Sequence, residues 1–257
     1  AFRIAVSRRP VHPILIQALE MTRIAFVSGL KGHVWGGSEE LWSRTARLLH
    51  DHDHDIWVYV NRASRRADPI SSMIESGIPV FEGTPKQKTQ IDRVQDFWHY
   101  RLQNRIRGGT RIPPVNSRAK KRLLGFAPDL VCISNGAIGC ALDWMEFCRS
   151  NRIPYVIICQ ANSESLWPAD SISDRLAACY QAAEQACFVS HRNRELFELQ
   201  VGLRLDNARV VWNPINVSLH GQLDPLPMAE PCVLACVGRL EPMAKGQDLL
   251  LQVLATS

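Results

Sequence analysis

The sequence predicts an α/β protein with a parallel β-sheet covered by helices on both faces. Short apolar runs alternate with helical stretches at least five times along the chain. The runs, such as RIAFVS and DLVCIS, are continuously apolar, which is typical of strands buried on both faces. The glycine-rich loop GLKGHVWGG follows the first run. Because ligands of such sheets bind at the carboxyl ends of the strands, we expect a binding site at this edge.

The first half of the chain holds three predicted strands and two predicted helices. The strands are RIAFVS (23–28), DIWVYVN (55–61) and IPVFEG (78–83). Ser38 is the predicted N-cap of the first helix, SEELWSRTARLLHD. Apolar spacing predicts that the buried face of this helix is formed by Leu41, Thr45, Leu48 and Leu49. The second helix starts at Asp68 and ends at Gly77.

The second half continues the alternation. The strands are APDLVCIS (127–134), PYVIICQ (154–160), ACFVS (186–190) and RVVWNP (209–214). Helices are predicted around 137–150, from Pro168 to about Gln185, and over HRNRELFELQ (191–200). Close to Ser257, CVLACVGRL predicts one more strand and GQDLLLQVLA one more helix.

Changes in composition divide the chain into four predicted segments. Residues 1–20 lack the pattern of a signal peptide and are interpreted as a disordered or non-native lead before Met21. Residues 21–215 are predicted to form the first domain. The stretch NPINVSLHGQLDPLPMAEP has four prolines and no periodicity, so residues 216–231 are interpreted as an interdomain linker. Residues 232–257 would then begin a second domain.

Composition narrows the class of protein. Apolar residues make up 46% and charged residues 21% of the chain, as in ordinary globular enzymes. No apolar run reaches the roughly 18 residues of a membrane-spanning helix. The eight cysteines form no pair with metal-ligand spacing and are interpreted as buried free thiols in a reducing cytoplasm. The HDHDHD run at residues 50–55 is interpreted as a solvated turn between a helix and a strand.

The positive charge is concentrated in one segment. Residues 84–122 carry a net charge of +9, and the rest of the chain sums to −4. Phe97, Trp98 and Tyr100 lie among these charges. Such a segment could dock on anionic lipid headgroups or grip a charged acceptor, and a solvated insertion is the alternative. No recognised nucleic-acid-binding motif accompanies it, so nucleic acid is not an expected partner.

The stretch VGRLEPMAKGQDLLL, residues 237–251, has the layout of a phosphate-binding turn. A strand is predicted to end at Gly238 and Arg239, and a loop then brings Lys245 and Gly246 to the start of a helix. Backbone N–H groups at a helix start attract anions, and the two cations add full charges. The alternative is a surface turn with two solvated cations.

Four motifs, in this order, resemble those of retaining family 4 glycosyltransferases. They are GGSE at 36–39, the strand APDLVCIS, the hinge FVSHRNRELFELQVGLRLDNARVVWNPINV at 188–217, and VGRL followed by KG and DLLL. The resemblance implies the GT-B architecture, with a Rossmann-like N-terminal domain and the start of a second Rossmann-like domain facing it across a cleft. In this family the donor binds mainly to the C-terminal domain and the acceptor mainly to the N-terminal domain.

The resemblance also implies roles for particular residues. Arg239 and Lys245 would hold the donor diphosphate and stabilise charge on the leaving group, without a metal or other cofactor. Gly238 and Gly246, which flank these two cations in the sequence, are predicted to belong to the same donor-phosphate loop. Gly36 and Gly37 would let the backbone approach donor phosphate or acceptor. The alternative is that they form a flexible turn at the start of the helix.

The chain departs from the family pattern in two places. Gln160 stands after a strand where many members have histidine, and it cannot gain a proton near pH 7. Asn162 and Glu164 are further candidate contacts for sugar or acceptor, with a capped loop as the alternative, and His33 is a candidate from its place in the glycine-rich loop. The family's Glu-x7-Glu motif does not occur. We therefore expect it beyond Ser257, in a chain truncated early in its second domain.

Together these features predict a glycosyltransferase. It would move a sugar from a nucleotide-sugar donor to a hydroxyl of a glycan, a lipid-linked acceptor or a small molecule, with retention of configuration and without metal. A sugar-nucleotide epimerase on the same fold and a non-catalytic nucleotide-sugar-binding scaffold are the alternatives. The predicted location is the cytoplasm, with contact to the cytoplasmic membrane face through residues 84–122. The fragment alone is expected to be inactive.

Overall fold

A computed structural model describes most of the predicted elements. The described residues are 21–30, 34–83, 117–164, 166–215, 234–238, 240 and 242–256. The chain divides into two compact units, Ala1–Pro214 and Ile215–Ser257. The predicted lead, the predicted linker and residues 84–116 of the basic segment lie outside the described residues, so these interpretations and the domain boundaries stay predictions.

The described residues of the first unit form a wholly parallel, seven-stranded sheet with the order β3-β2-β1-β4-β5-β6-β7. The strands are β1 (Arg23–Ser28), β2 (Asp55–Asn61), β3 (Val80–Gly83), β4 (Leu130–Asn135), β5 (Tyr155–Cys159), β6 (Gln185–Phe188) and β7 (Ala208–Val210). The helices are α1 (Gly37–His50), α2 (Asp68–Glu75), α3 (Ser117–Phe126), α4 (Leu142–Ser150), α5 (Asp170–Gln181) and α6 (His191–Val201), with a 3₁₀ turn at Ser64–Arg66. The predicted α/β, Rossmann-like fold class is confirmed.

Helices cover both faces of the sheet and create two cores. Successive side chains of β1 alternate between them: Ala25 and Val27 lie in one core, and Ile24 and Phe26 lie in the other. The first core is closed by α3, α4, α5 and α6, and the second by α1 and α2. Each strand must therefore be apolar on both sides, which explains the continuous apolar runs.

The order of the strands reverses between β1 and β4. At this point Gly29 lies where the loops after the two strands pack closely together. The chain runs outward from β1 to β3 and then returns to β4 on the other side of β1. The Gly29 N–H donates to the Ser134 carbonyl at 2.7 Å. A Cβ at Gly29 would lie 3.0 Å from that oxygen and 3.1 Å from the Ala141 Cβ. Glycine thus allows the loops after β1 and β4 to approach each other, at the position where parallel sheets usually bind ligands.

The predicted N-cap of helix α1 is wrong, and its predicted buried face is only partly right, since Leu41 and Leu49 are half-buried against the second core. The N-cap is Gly36, whose carbonyl accepts the Glu39 N–H at 2.9 Å, and Ser38 lies inside the first turn. The buried side chains are those of Glu39, Trp42, Ser43 and Ala46, and the predicted Leu48 is 58% exposed. The helix is rotated because Trp42 packs on Phe26, with ring centroids 6.2 Å apart, and this large side chain decides which face is buried.

The described cysteines are free thiols, as predicted. They are Cys132, Cys140, Cys148, Cys159, Cys179, Cys187 and Cys236. Burial raises the pKa of Cys132, Cys148 and Cys159 to about 12, so these thiols stay protonated and unreactive at neutral pH. Cys140 and Cys187 are half-buried and Cys236 is exposed, so the expectation of burial fails there.

Within the described ranges, no helix combines the length and apolar character needed to cross a bilayer.

The second unit contains two helices among its described residues, α7 (Pro242–Lys245) and α8 (Gln247–Thr256). Helix α8 confirms the predicted terminal helix. The strand predicted over CVLACVGRL is not found in the described stretch 234–238. A strand needs a neighbour to satisfy its backbone groups, and the described part of this unit offers none.

Candidate functional site

The carboxyl edge of the sheet in the first unit is lined by polar residues. Ser28 ends β1, Asn61 ends β2, Asn135 ends β4, and Gln160 follows β5 directly. Because parallel strands end at one edge, these side chains belong to the same side of the molecule. Ser28, Asn135 and Gln160 are buried. A buried polar residue needs hydrogen-bond partners, so the partners of each show what it does.

Ser28 connects the glycine-rich loop to a buried carboxyl group. Its hydroxyl donates to Glu39 Oε2 at 2.7 Å and accepts the Leu30 N–H at 3.2 Å. Glu39 is fully buried in the first turn of α1. Burial raises the pKa of Glu39 above its ordinary value of 4.5, and the hydrogen bond from Ser28 opposes that rise. The pair fixes the start of the loop to the helix that follows it.

The loop is also tied to strand β2. The Asn61 side-chain amide donates to the Leu30 carbonyl at 2.8 Å and to Ser64 Oγ at 2.7 Å. Its oxygen accepts the Ser64 N–H at 3.0 Å. All of these bonds serve the protein itself, so Asn61 shapes the site and is not a candidate ligand contact.

Gly36 and Gly37 have an ordinary backbone and open surroundings. Gly36 is extended, with φ −166°, which any residue adopts, and neither glycine has a positive φ. A Cβ at Gly36 would lie 3.7 Å from Ser38 Oγ, and one at Gly37 would meet no described atom within 4 Å. Neither backbone strain nor close packing therefore accounts for the two glycines. Their predicted role in backbone approach stays a prediction, and His33 lies outside the described residues.

Gln160 is buried, yet its carboxamide has no partner in the described part of the chain. The residue is 8% exposed, and both Oε1 and Nε2 lack a hydrogen bond. Its backbone is fixed, because the Gln160 N–H donates to the Asn135 carbonyl at 3.0 Å. The Asn135 side chain is satisfied by Tyr180 and by the Ala141 N–H. Gln160 thus presents an unused donor and an unused acceptor at the carboxyl edge.

Asn162 ties the loop after β5 to helix α6. Its amide nitrogen donates to Gln200 Oε1 at 2.8 Å, and Gln200 Nε2 donates to the Ser163 carbonyl at 3.2 Å. Asn162 Oδ1 is buried and has no partner among the described groups. Glu164 lies further along this loop, 67% exposed, in a surface ion pair with Arg192. Its own backbone N–H and Arg192 lower the pKa of Glu164.

Three of the predicted phosphate-site residues, Gly238, Lys245 and Gly246, lie among the described residues of the second unit. Lys245 is exposed and ends the short helix α7, which replaces the predicted loop. Gly246 has φ +65° and joins α7 to α8. A Cβ at Gly238 would lie 3.7 Å from both Lys245 Cγ and Gln247 Nε2, so Gly238 and Lys245 are neighbours. Arg239 lies outside the described residues.

Five polar residues of this region are not among the predicted site residues: Ser28, Glu39, Asn61, Asn135 and Gln200. The sequence contains a signal for three of them, Ser28, Asn61 and Asn135. RIAFV is followed by Ser, DIWVYV by Asn, and VCIS by Asn. A polar residue that ends an apolar run marks the carboxyl end of a buried strand. Glu39 and Gln200 give no such signal, because a charged or amide residue on a helix is usually exposed.

Glu39→Gln is expected to raise stability at neutral pH and to lose this advantage in acid. In the folded protein the pKa of Glu39 is raised, so its favourable contribution is complete below 4.5 and is lost as the pH rises through the folded pKa. Glutamine cannot ionise and keeps the acceptor for Ser28. Urea unfolding of both proteins from pH 4.5 to 8 measures the difference, which should grow with pH. Parallel profiles would contradict the assignment, and Glu39→Ala should be destabilised by about 2 kcal/mol at every pH.

The chain belongs to Glycosyltransferase Family 4, because residues 35–219, well over half of its length, match the model of that family. This match confirms the resemblance to the family and covers three of the four sequence motifs. The fourth, VGRL with KG and DLLL at residues 237–251, lies beyond the match and stays a prediction. No curated protein matches the chain significantly.

Solved structures similar to this chain include Anabaena Alr3699/HepE, a glycosyltransferase and an epimerase. Anabaena Alr3699/HepE in complex with UDP-glucose is 15% identical, with 76% of this chain and 44% of that chain covered and a TM-score of 0.49. A glycosyltransferase from Rickettsia africae is 12% identical, with 76% and 43% covered and a TM-score of 0.47. UDP-GlcNAc 2-epimerase from Neisseria meningitidis, bound to UDP-GlcNAc, is 12% identical, with 74% and 47% covered and a TM-score of 0.44. The chain spans less than half the length of these proteins.

Proposed function

We propose that the protein is a retaining, metal-independent glycosyltransferase that moves a sugar from a nucleotide-sugar donor to an acceptor hydroxyl. The observation that carries the proposal is the family match over residues 35–219. The polar carboxyl edge of the first unit, with the unused carboxamide of Gln160, supports it. We further propose a cytoplasmic enzyme whose acceptor is a glycan, a lipid-linked sugar or a small molecule.

In the proposed reaction the bond between the anomeric carbon and the diphosphate oxygen breaks, and its electron pair stays on the diphosphate. The acceptor hydroxyl oxygen forms the new bond to the anomeric carbon, and its proton leaves with the diphosphate. Lys245, exposed beside Gly238, and Arg239 would stabilise the growing negative charge. Fixed cations can supply this stabilisation without a metal ion.

The polar edge of the first unit would contact sugar hydroxyl groups. A hydroxyl can donate to Gln160 Oε1 and accept from Nε2, so one ligand group would satisfy both buried atoms. Asn162 would contribute only its oxygen, because its amide nitrogen is already bound to Gln200. Glu164, held by Arg192 at the surface, is a weaker candidate.

The test is turnover of a panel of nucleotide sugars by protein expressed from its complete coding sequence. We expect release of the nucleoside diphosphate that depends on an acceptor and continues in excess EDTA. The coupling constant of the anomeric proton in the product, measured by NMR, should match that of the donor. Inversion would overturn the stereochemical part, and loss of activity in EDTA would overturn metal independence.

The same panel separates the alternatives. Interconversion of a nucleotide sugar with its epimer, without an acceptor, would identify a sugar-nucleotide epimerase. Binding of a nucleotide sugar in calorimetry, without turnover under any condition, would identify a non-catalytic binding protein. Neither binding nor turnover of any donor would overturn the proposed function altogether.

A further inference from the structure

A cavity of about 290 Å³ lies at the outer edge of the sheet in the first unit. Its walls come from edge strand β3, from helix α3 and from the 3₁₀ turn after β2. Three arginines line it, Arg65, Arg118 and Arg122, together with one carboxylate, Glu82. The cavity is therefore strongly positive, and none of the roles discussed above accounts for it.

Two of the charged groups are already held by the protein. Arg65 Nη1 donates to the Val80 carbonyl at 2.8 Å, and its Nε lies 3.9 Å from Glu82 Oε2. This contact fixes the position of Arg65 and offsets part of its charge. Because Glu82 is the lone carboxylate among the described lining residues, a net positive charge remains at the cavity.

Helix α3 places its positive charges where they repel one another. Arg118 and Arg122 are four residues apart, so both lie on the same helix face. The first turn of α3 has no acidic residue, although the positive end of a helix dipole favours negative charge. An anion in the cavity would be attracted by the positive charge of Arg122 and by the start of the helix.

Arg122 is oriented for such an anion. Its guanidinium carbon lies over the Phe81 ring, 4.9 Å from the centroid. This cation–π contact holds the guanidinium at the cavity wall, where its planar set of N–H donors can bind an anion. No described carboxylate forms an ion pair with Arg122. Edge donors in one plane match the paired oxygens of a phosphate or carboxylate.

We propose that this cavity binds a phosphate or carboxylate group, and that the group belongs to the acceptor substrate. Arg122 contacts the anion through its N–H donors, Arg65 lines the same cavity, and Phe81 holds the Arg122 guanidinium in place. The assignment to the acceptor rests on the proposed glycosyltransferase function. Binding of the anion itself does not, so the two can fail separately.

The experiment measures anion binding directly, without a nucleotide sugar. Inorganic phosphate, glucose 6-phosphate and glucuronate are titrated by calorimetry at constant ionic strength, with glucose as the uncharged comparison. Vesicles of phosphatidylglycerol in phosphatidylcholine form a separate arm, which distinguishes a lipid headgroup from a soluble anion. The variants are Arg122→Met, which replaces the guanidinium with an uncharged, unbranched side chain, and Lys121→Ala, which removes an exposed charge from the same helix at a residue that does not line the cavity.

We expect Arg122→Met to weaken binding of the preferred anion by about tenfold, and Lys121→Ala to leave it unchanged. The arm in which this difference appears identifies the source of the anion. Equal responses of both variants in every arm, or binding of glucose as tight as that of glucose 6-phosphate, would overturn the anion site. Unchanged melting temperatures of the variants without ligand show that the fold is kept. Anion binding without acceptor-dependent transfer would remove only the assignment to the acceptor.

Discussion

Replacing Lys245 with alanine is expected to lower turnover by about a hundredfold and to change the free energy of unfolding by less than about 0.5 kcal/mol. Lys245 is exposed and has no described salt-bridge partner, so the fold loses little with its side chain. The transition state loses much more. A cation beside the diphosphate matters most when the leaving oxygen gains charge, so kcat should fall more than the donor affinity.

The measurement is kcat and KM for the donor in protein from the complete coding sequence. Arg239→Ala is the second variant, and Lys121→Ala, which removes an exposed lysine from the first unit, is the matched control. We expect the control to turn over at the normal rate. If Lys245→Ala and Arg239→Ala both keep near-normal rates, the phosphate assignment is wrong. A change confined to KM would place Lys245 in ground-state binding of the donor.

Much of the fold of the first unit is predictable from the sequence, because a strand covered on both faces must be apolar at every position. β1, β2 and β5 are found within one or two residues of their predicted limits. The face of α1 is not predictable in this way, because leucines and a tryptophan compete for burial. Trp42 contacts both Phe26 and Trp35, and neither contact can be read from helical spacing.

The site is predictable only in part, because its properties depend on contacts between distant segments. Glycine is favoured at position 29 because a Cβ there would lie only 3.0 Å from the carbonyl oxygen of Ser134, more than a hundred positions later. Glu39 suits the positive end of the helix dipole, as expected of an acidic residue in a first turn, but it is buried against Ser28. Gln160 stands out in the sequence through the resemblance to the family. That it is buried without a partner is a property of the fold alone.

Gln160→Met is expected to make the protein more stable and less active. The Gln160 carboxamide is buried and makes no described hydrogen bond, so the fold bears its desolvation cost. Methionine has a similar length and no polar group to desolvate. We expect the free energy of unfolding to rise by about 1 kcal/mol, and kcat/KM to fall by about tenfold as the contact to a sugar hydroxyl is lost.

Gln200→Met is the matched control. Gln200 is also buried, but it accepts from Asn162 and donates to the Ser163 carbonyl. Methionine at this position leaves the Asn162 amide with only a long, 3.5 Å hydrogen bond to the Asn193 carbonyl and loosens the loop after β5. We therefore expect a loss of about 1–2 kcal/mol, the opposite sign from the change at Gln160.

Urea unfolding of the three proteins, with and without saturating nucleotide sugar, measures both effects. Ligand should stabilise wild type more than Gln160→Met, because only the wild type offers the carboxamide to the sugar. If Gln160→Met is destabilised as much as Gln200→Met, the carboxamide has a partner within the protein and its role as a ligand contact is wrong. The two glutamines are similarly buried and differ in whether their side chains make a hydrogen bond. Opposite signs of the change in the free energy of unfolding for Gln160→Met and Gln200→Met would therefore identify the Gln160 carboxamide as a group available to a ligand.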